Sequence, residues 1–327
     1  MTEQDNRNTP TVASVSTSSD WAAWTIPVAL LPLVIWGNPL TAILVGASLS
    51  LTLNRLLINN ACLFGKLALQ TAIVLLGVNL DAREMWEVSQ DYAGLITLYV
   101  FLTLGAGIVL GHVLKVDSIL LRLIAAGTAI CGGTAIATLS PILKARADQL
   151  ALTLTIVFCL NMVALLTFPL IGEWLSMTQT QFGVWAALAV HDTSSVVATA
   201  AVYGQHATEV ATTVKLGRTL WLIPLTLVFS LLCGASGTKI RIPGFIGLFI
   251  LASVLGSLAR EYLVVPQIVF DSVQYASRAL IVVALFFIGL EFTRETLRNL
   301  RGGVVWQALL LWATVVPLTL WVSLHYA

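Results

Sequence analysis

The amino-acid sequence predicts an all-α polytopic membrane protein with about 10–11 transmembrane helices, two of them discontinuous. Three observations carry this prediction. First, 58% of the 327 residues are hydrophobic, only 10% are charged, and mean hydropathy is +0.91. A soluble domain carries about a quarter charged residues, so this chain cannot clothe a globule in polar surface. Second, the apolar runs are continuous and about 16–24 residues long, the length a helix needs to cross a ~30 Å hydrocarbon core. The short polar–apolar alternation of a transmembrane β-barrel is missing. Third, two of the runs are interrupted by small and polar residues and then resume.

Residues 1–20 are polar and rich in Thr and Ser, which predicts a disordered tail. Residues 21–327 form the membrane domain. The tail has neither the basic start nor the cleavage site of a secretory signal, so the first span is expected to be an uncleaved anchor. Eleven apolar segments follow, at 21–37, 39–57, 66–80, 92–114, 119–143, 149–172, 182–203, 208–233, 243–259, 272–290 and 303–325. Gly37 and Pro39 make the first turn. Trp21, Trp24, Trp36, Trp86, Trp174, Trp306 and Trp321 lie near predicted span ends, where an aromatic belt belongs. Arg7, Arg55, Lys66, Lys115, Arg122, Lys239, Arg241, Arg294, Arg298 and Arg301 fall on one side, against Arg83, Lys144, Arg146 and Arg260 on the other. Basic residues collect in the cytoplasm, which places the N-terminus there. Net charge is +1 with no basic block, which excludes a nucleic-acid surface. Cys62, Cys131, Cys159 and Cys233 form no CxxC pair and read as small buried hydrophobes; no metal or cofactor is expected.

The first interruption is Cys131-Gly132-Gly133-Thr134-Ala135, within 127–138. Two glycines cost a helix roughly 2 kcal/mol relative to two alanines. They suit either close packing against a neighbour or a break between half-helices, with Thr134 as the cap of the second half and Pro141 limiting its far end. The second interruption is His191-Asp192-Thr193-Ser194-Ser195. Ionisable residues inside a span face a cavity or a partner, and Asp192 to Ser195 reads as a cap cluster opening a second half-helix. Helix N-termini attract anions, so two of them at the midplane predict an anion site. Lys215 and Arg218, three apart on one helical face, supply fixed charge beside it. His191, Asp192 and Glu291 are the candidates for proton coupling. Asn161, Thr155 and Gln70 are neutral residues able to line the same cavity.

Two internal similarities suggest the inverted repeats of a secondary transporter. Gly133–Thr138 resembles Ser194–Thr199, and the run from Lys66 to Asn79 resembles that from Arg278 to Glu291. Their order along the chain is A, B, B′, A′, where simple duplication gives A, B, A′, B′.

Ile130 to Ala137, then Pro141, His191-Asp192 and Lys215-Leu216-Gly217-Arg218, resemble the landmarks of the YeiH-like family of bacterial inner-membrane proteins, a family named for sulfate export. That family is similar to the cation/proton antiporter and anion transporter superfamily. The resemblance covers residues 20–327, with Thr134 where a serine is expected. It implies a scaffold, a core, and discontinuous helices meeting at the midplane. The expected function is ion-coupled secondary transport of a small anion, sulfate or sulfonate-like, across the bacterial inner membrane. Substrate contacts are expected from Cys131, Gly132, Gly133, Thr134, Ala135, Thr193, Ser194, Ser195, Lys215 and Arg218. The expected partners are that anion, a coupling proton or sodium ion, the lipid bilayer, and a second copy in a homodimer. A cation/proton antiporter using Asp192 is the alternative. An enzyme is not expected, since GxSG, HExxH and clustered aspartates are all missing.

Overall fold

The computed structural model describes residues 30–35, 39–53, 61–80, 82–233, 244–263, 265–290 and 302–327. The expected tail at 1–20, Trp21, Trp24, Trp36 and Glu291 lie outside the described residues. Among the described residues the only regular structure is helix. In chain order the elements are α1 (Pro39–Leu53), α2 (Ala61–Asn79), α3 (Ala82–Asp91), α4 (Ala93–Val113), α5 (Ser118–Ala129), α6 (Gly133–Ile142) and α7 (Ala147–Trp174). They continue with α8 (Gln179–Ala189), α9 (Thr193–Tyr203), α10 (Gln205–Leu220), α11 (Leu222–Cys233), α12 (Gly244–Tyr262), α13 (Gln267–Leu290) and α14 (Gly303–Tyr326). The protein is an all-α polytopic membrane protein. Helices at 93–113, 148–174, 205–233, 267–290 and 303–326 are individually long and apolar enough to cross a bilayer. The two interrupted runs are the pairs α5/α6 and α8/α9. At 1.5 Å per residue neither half is long enough to span ~30 Å alone, while the summed length of each pair is about that distance.

The helices form two bodies, each around its own apolar core. One joins α4 to α11 with α14 and is centred on residues such as Ile124, Ala129, Leu160, Phe168, Trp185 and Val214. The other joins α1, α2, α12 and α13 around Ile43, Ile73, Phe249, Val282 and Phe286. Helix α9 belongs to both: Val196 and Ala200 pack in the first core, Val197 and Ala198 in the second. The two repeated patterns of the sequence each pair elements that touch. The Lys66 and Arg278 runs are the neighbours α2 and α13, and the two breaks meet one another.

Glycine grooves let the second body close. A Cβ on Gly256 of α12 would lie 2.1 Å from the Val78 carbonyl oxygen of α2. A Cβ on Gly46 of α1 would lie 2.3 Å from the Phe286 carbonyl oxygen of α13. Both neighbours are backbone and cannot rotate away. Gly256→Ala therefore forces α12 off α2, and a loss of about 1–3 kcal/mol is expected, as for other overpacked sites. Thermal unfolding in detergent checks it; an unchanged midpoint would show that α12 is free to move.

Three helices end without the glycine that usually marks an end. Lys115, Lys144 and Ser176 take positive φ of 53°, 53° and 51° after α4, α6 and α7. In each case the following amide bonds five residues back: Val116 to Gly111 at 2.9 Å, Ala145 to Ser140 at 2.9 Å, Met177 to Gly172 at 3.0 Å. The next helix starts two residues beyond the left-handed one, at the caps Asp117, Arg146 and Thr178. Thr178 and Gln181 form a reciprocal capping box, with bonds of 3.2 and 3.1 Å. The pattern Thr-x-x-Gln was available in the sequence and puts the start of that run at 179, ahead of the expected 182. Helix α3, amphipathic and lying between two apolar spans, was expected as loop.

Candidate functional site

Backbone groups inside a bilayer must be bonded within the protein, so a broken helix poses a definite question: what receives its last carbonyls? Helix α5 ends at Ala129 and α8 at Ala189, and helix α10 answers for both. Arg218 donates through Nε to the Ala129 carbonyl at 2.9 Å, through Nη1 to Ala187 at 2.9 Å and to Leu188 at 2.8 Å, and through Nη2 to Thr128. Lys215 Nζ donates to Val190 at 2.7 Å and more loosely to Ala187 at 3.4 Å. Trp312 of α14 supplies the carbonyl of Ala189 at 3.2 Å. Tyr99 of α4 adds a hydroxyl to Thr128 at 3.3 Å, and the Arg218 guanidinium carbon lies 4.4 Å from the centre of its ring. The carbonyls of Ala187, Leu188, Ala189 and Val190 thus all receive side-chain donors.

Lys215 and Arg218 are both fully buried. Unpartnered charges there would be very costly. Here Arg218 faces the negative ends of both helix dipoles and Lys215 that of α8, roughly half a charge apiece. The sequence expectation had both residues lining an anion cavity. The structure brings them to the breaks, as expected, but gives their donors to backbone carbonyls.

The other ends of the breaks face each other. Gly132 carries φ +55° and ψ −117°, and Thr134 N–H bonds the Cys131 carbonyl at 3.3 Å. This is the geometry of a type II′ turn, whose first central residue favours glycine. A Cβ there would meet His191 Cβ, the His191 carbonyl carbon and Asp192 N, each at 3.2 Å. The two interruptions are therefore in direct contact. Gly133 is different: a Cβ would find only ordinary contact, 3.5 Å from Leu154 and 3.6 Å from Phe158. Thr134 is not the cap of α6. Gly132 occupies that position and offers no side chain, which leaves Thr134 in the first turn.

Helix α9 is capped as its sequence suggests. Asp192 Oδ2 accepts from Ser194 N–H at 3.0 Å and Ser195 N–H at 3.3 Å. Asp192→Ala should cost about 1 kcal/mol, the usual effect of losing such a cap, while Asp192→Asn should keep the fold; melting curves of the two variants check this. Thr193 is buried, Ser194 and Ser195 are half-buried, and Cys131 and Ala135 are buried.

His191 is 1% exposed and Asn161 of α7 is 2% exposed. Asn161 Oδ1 accepts the His191 backbone N–H at 3.0 Å. Its own Nδ2, and both ring nitrogens of His191, have no partner among the described residues. Buried polar atoms are nearly always bonded, so three partnerless atoms beside an uncapped helix start are the mark of a place built for something polar. Behind α8 the site is fixed by an aromatic stack. Phe168 lies between Trp185, at 4.2 Å and 7°, and Trp312, at 6.0 Å and 8°. The Trp185 indole bonds the Val316 carbonyl at 3.2 Å.

Of the sequence-named residues, the two interruptions with Asn161, Lys215 and Arg218 come together here; Gln70 lies on α2 in the other body, and Glu291 lies outside the described residues. Tyr99 and Trp312 were missed. A tryptophan in mid-span, away from the belt, was the available signal for Trp312, because a buried indole N–H needs an acceptor. No signal marks Tyr99.

The family described as Conserved hypothetical protein 698 matches residues 29–302. A UPF0324 membrane protein of Shewanella oneidensis is 41% identical over 257 residues, 77% of this chain and 80% of the relative. One from Porphyromonas gingivalis is 40% identical over 286 residues, 87% of this chain and 86% of the relative. One from Bacteroides thetaiotaomicron is 36% identical over 322 residues, 98% and 96% respectively. No solved structure matches the chain.

Proposed function

Because the chain belongs to the Conserved hypothetical protein 698 family and is a membrane protein like its UPF0324 relatives, we propose that it is a secondary transporter of a small anion, sulfate or sulfonate-like, working at the bacterial inner membrane with its N-terminus in the cytoplasm. The anion is received where α6 and α9 begin. The single observation that carries the proposal is the meeting of those two N-termini at Gly132 and His191-Asp192, beside the partnerless donors of Asn161 and His191.

Charge favours an anion over a cation. Among the described residues bonded at the breaks, two cations, Lys215 and Arg218, stand against one carboxylate, Asp192, which leaves a formal +1 (2 − 1). The paired helix ends contribute about +0.5 and −0.5 each and cancel. Asp192 Oδ2 is also already engaged by two backbone N–H groups, which disfavours a cation/proton antiporter built on that residue. Coupling to a proton or sodium ion, with His191 as the titrating group, completes the proposed cycle. The division into two bodies joined through α9 suits alternating access, in which one body carries the breaks past the other.

Uptake of labelled sulfate into proteoliposomes tests the proposal, with sodium and proton gradients imposed separately. Saturable sulfate or sulfonate flux that survives Asp192→Asn is expected. Sodium–proton exchange without any anion, abolished by Asp192→Asn, would replace the proposal with the antiporter.

A further inference from the structure

A cavity of about 270 Å³ lies between the two bodies, away from the breaks. Its walls come from α2 and α13 on one side and from α9 and α10 on the other. Among the described residues Arg278 is its one charged lining residue, with Gln205, Gln274, Ser277 and Thr208 beside it and Leu76 among its apolar walls. Arg278 sits near the middle of α13, a helix apolar enough to cross the membrane. Arg278 is exposed and lines this cavity, and an ionisable side chain that lines a cavity on a spanning helix marks a path for a polar solute.

The donor inventory is specific. Ser277 Oγ donates to the Ala72 carbonyl at 2.8 Å and Thr208 Oγ1 to the Gly204 carbonyl at 2.7 Å, so neither hydroxyl proton is available to a ligand. Gln205 spends an amide proton on Glu209 at 3.0 Å and takes a bond from Arg278 Nη2. What remains is the rest of the guanidinium fork and the amide of Gln274, which sits four residues before Arg278 on the same helical face. A planar fork with a neighbouring amide suits a ligand with several acceptor oxygens and negative charge.

The position relative to the breaks is equally definite. Thr208, Thr212 and Lys215 stand at i, i+4 and i+7 on α10, one continuous helical face. Seven residues rise about 10 Å, so the cavity lies about that far from the cation that caps α8. Thr212 and Lys215 are fully buried, which closes the way between them in this conformation.

We propose that the cavity is a recruitment site for an oxyanion, held by Arg278 and Gln274 between the two bodies before it reaches the breaks. The same chemistry has two sources, a free sulfate-class anion or the phosphate of an anionic lipid. The place in the path, but not the binding itself, rests on the transport reading.

The test is local. Ala201 lines the cavity and is half-exposed. Ala201→Cys in the full-length protein gives a thiol whose reaction with a neutral maleimide is followed by mass spectrometry of its own peptide. Sodium sulfate and sodium phosphate are compared with sodium chloride at equal ionic strength, in lipid-free detergent. Lipid nanodiscs of phosphatidylglycerol are compared with phosphatidylcholine, without added oxyanion. Sulfate or phosphate at tenfold excess over its Kd should slow labelling about tenfold, and Arg278→Gln should remove the effect while Arg278→Lys keeps part of it. Slowing by phosphatidylglycerol alone, lost in Arg278→Gln, supports the site and names the lipid as its ligand. Labelling that responds equally to chloride, responds to nothing, or stays protected in an Arg278→Gln protein of normal gel-filtration profile overturns the proposal. Protection without flux would sink the transport reading and leave this site standing; flux without protection would do the reverse.

Discussion

Arg218→Ala should yield a protein that does not survive purification as a monodisperse species, or one whose unfolding midpoint falls by about 5 °C or more. The reason is the number of acceptors that one side chain serves. Four carbonyls at the ends of α5 and α8 receive its protons, in a region closed to water. Leaving a buried acceptor unsatisfied costs about 1–3 kcal/mol. Even with two of the four re-bonded by relaxation, at least about 2 kcal/mol is lost. Arg218→Lys should fall between, since a single ammonium cannot span two helix ends with a planar fork. Lys215→Met should be milder, because Ala187 keeps the arginine and only Val190 is stranded. Thermal unfolding of the four proteins in one detergent orders them: wild type, Lys215→Met, Arg218→Lys, Arg218→Ala. Equal midpoints for Arg218→Ala and wild type would show that the carbonyls find water, and the breaks would then be wet, contrary to the burial described above.

Gly132→Ala and Gly133→Ala should differ sharply although the residues are neighbours. At Gly132 a side chain meets both a positive φ, worth about 1–3 kcal/mol, and backbone of the opposing break at 3.2 Å. The two N-termini must then separate. A displacement of even 1 Å at a functional centre can cost about a hundredfold, so anion flux should fall at least that far. Gly133→Ala should retain flux within a few-fold, its Cβ resting in ordinary contact with Leu154 and Phe158. Proteoliposome flux normalised to inserted protein measures both. Comparable loss in the two variants would mean that helix propensity, common to both glycines, matters more than the contact at Gly132.

Much of this was legible in the sequence, for physical reasons that differ by element. The membrane class follows from composition alone, because no fold can hide so much apolar surface from water. The breaks were legible because irregular backbone in a bilayer needs special residues, and Gly132 and Asp192 are such residues. That Lys215 and Arg218 belong beside them was legible from one helical face. Their duty was not. A cation at the mouth of a cavity and one bonded to carbonyls look alike in a sequence, since the carbonyls belong to every residue and carry no signature. For the same reason Thr134 was taken as a cap: a hydroxyl is the usual solution, whereas here a glycine turn replaces it. The ends of α4, α6 and α7 escaped notice because Lys115, Lys144 and Ser176 adopt a conformation that glycine usually announces.

The capping of both breaks from α10 also has a consequence in time. Ribosomes make and domains fold a chain from its N-terminus, so residues 118–203, with both interruptions, leave the ribosome before Lys215 and Arg218 exist. During that interval the carbonyls of Thr128, Ala129, Ala187 and Leu188 have no donors from α10, and lipid offers none. Release of those segments into the bilayer must therefore wait on downstream sequence. The insertion machinery, not the bilayer, is the first solvent in which the two broken helices are held.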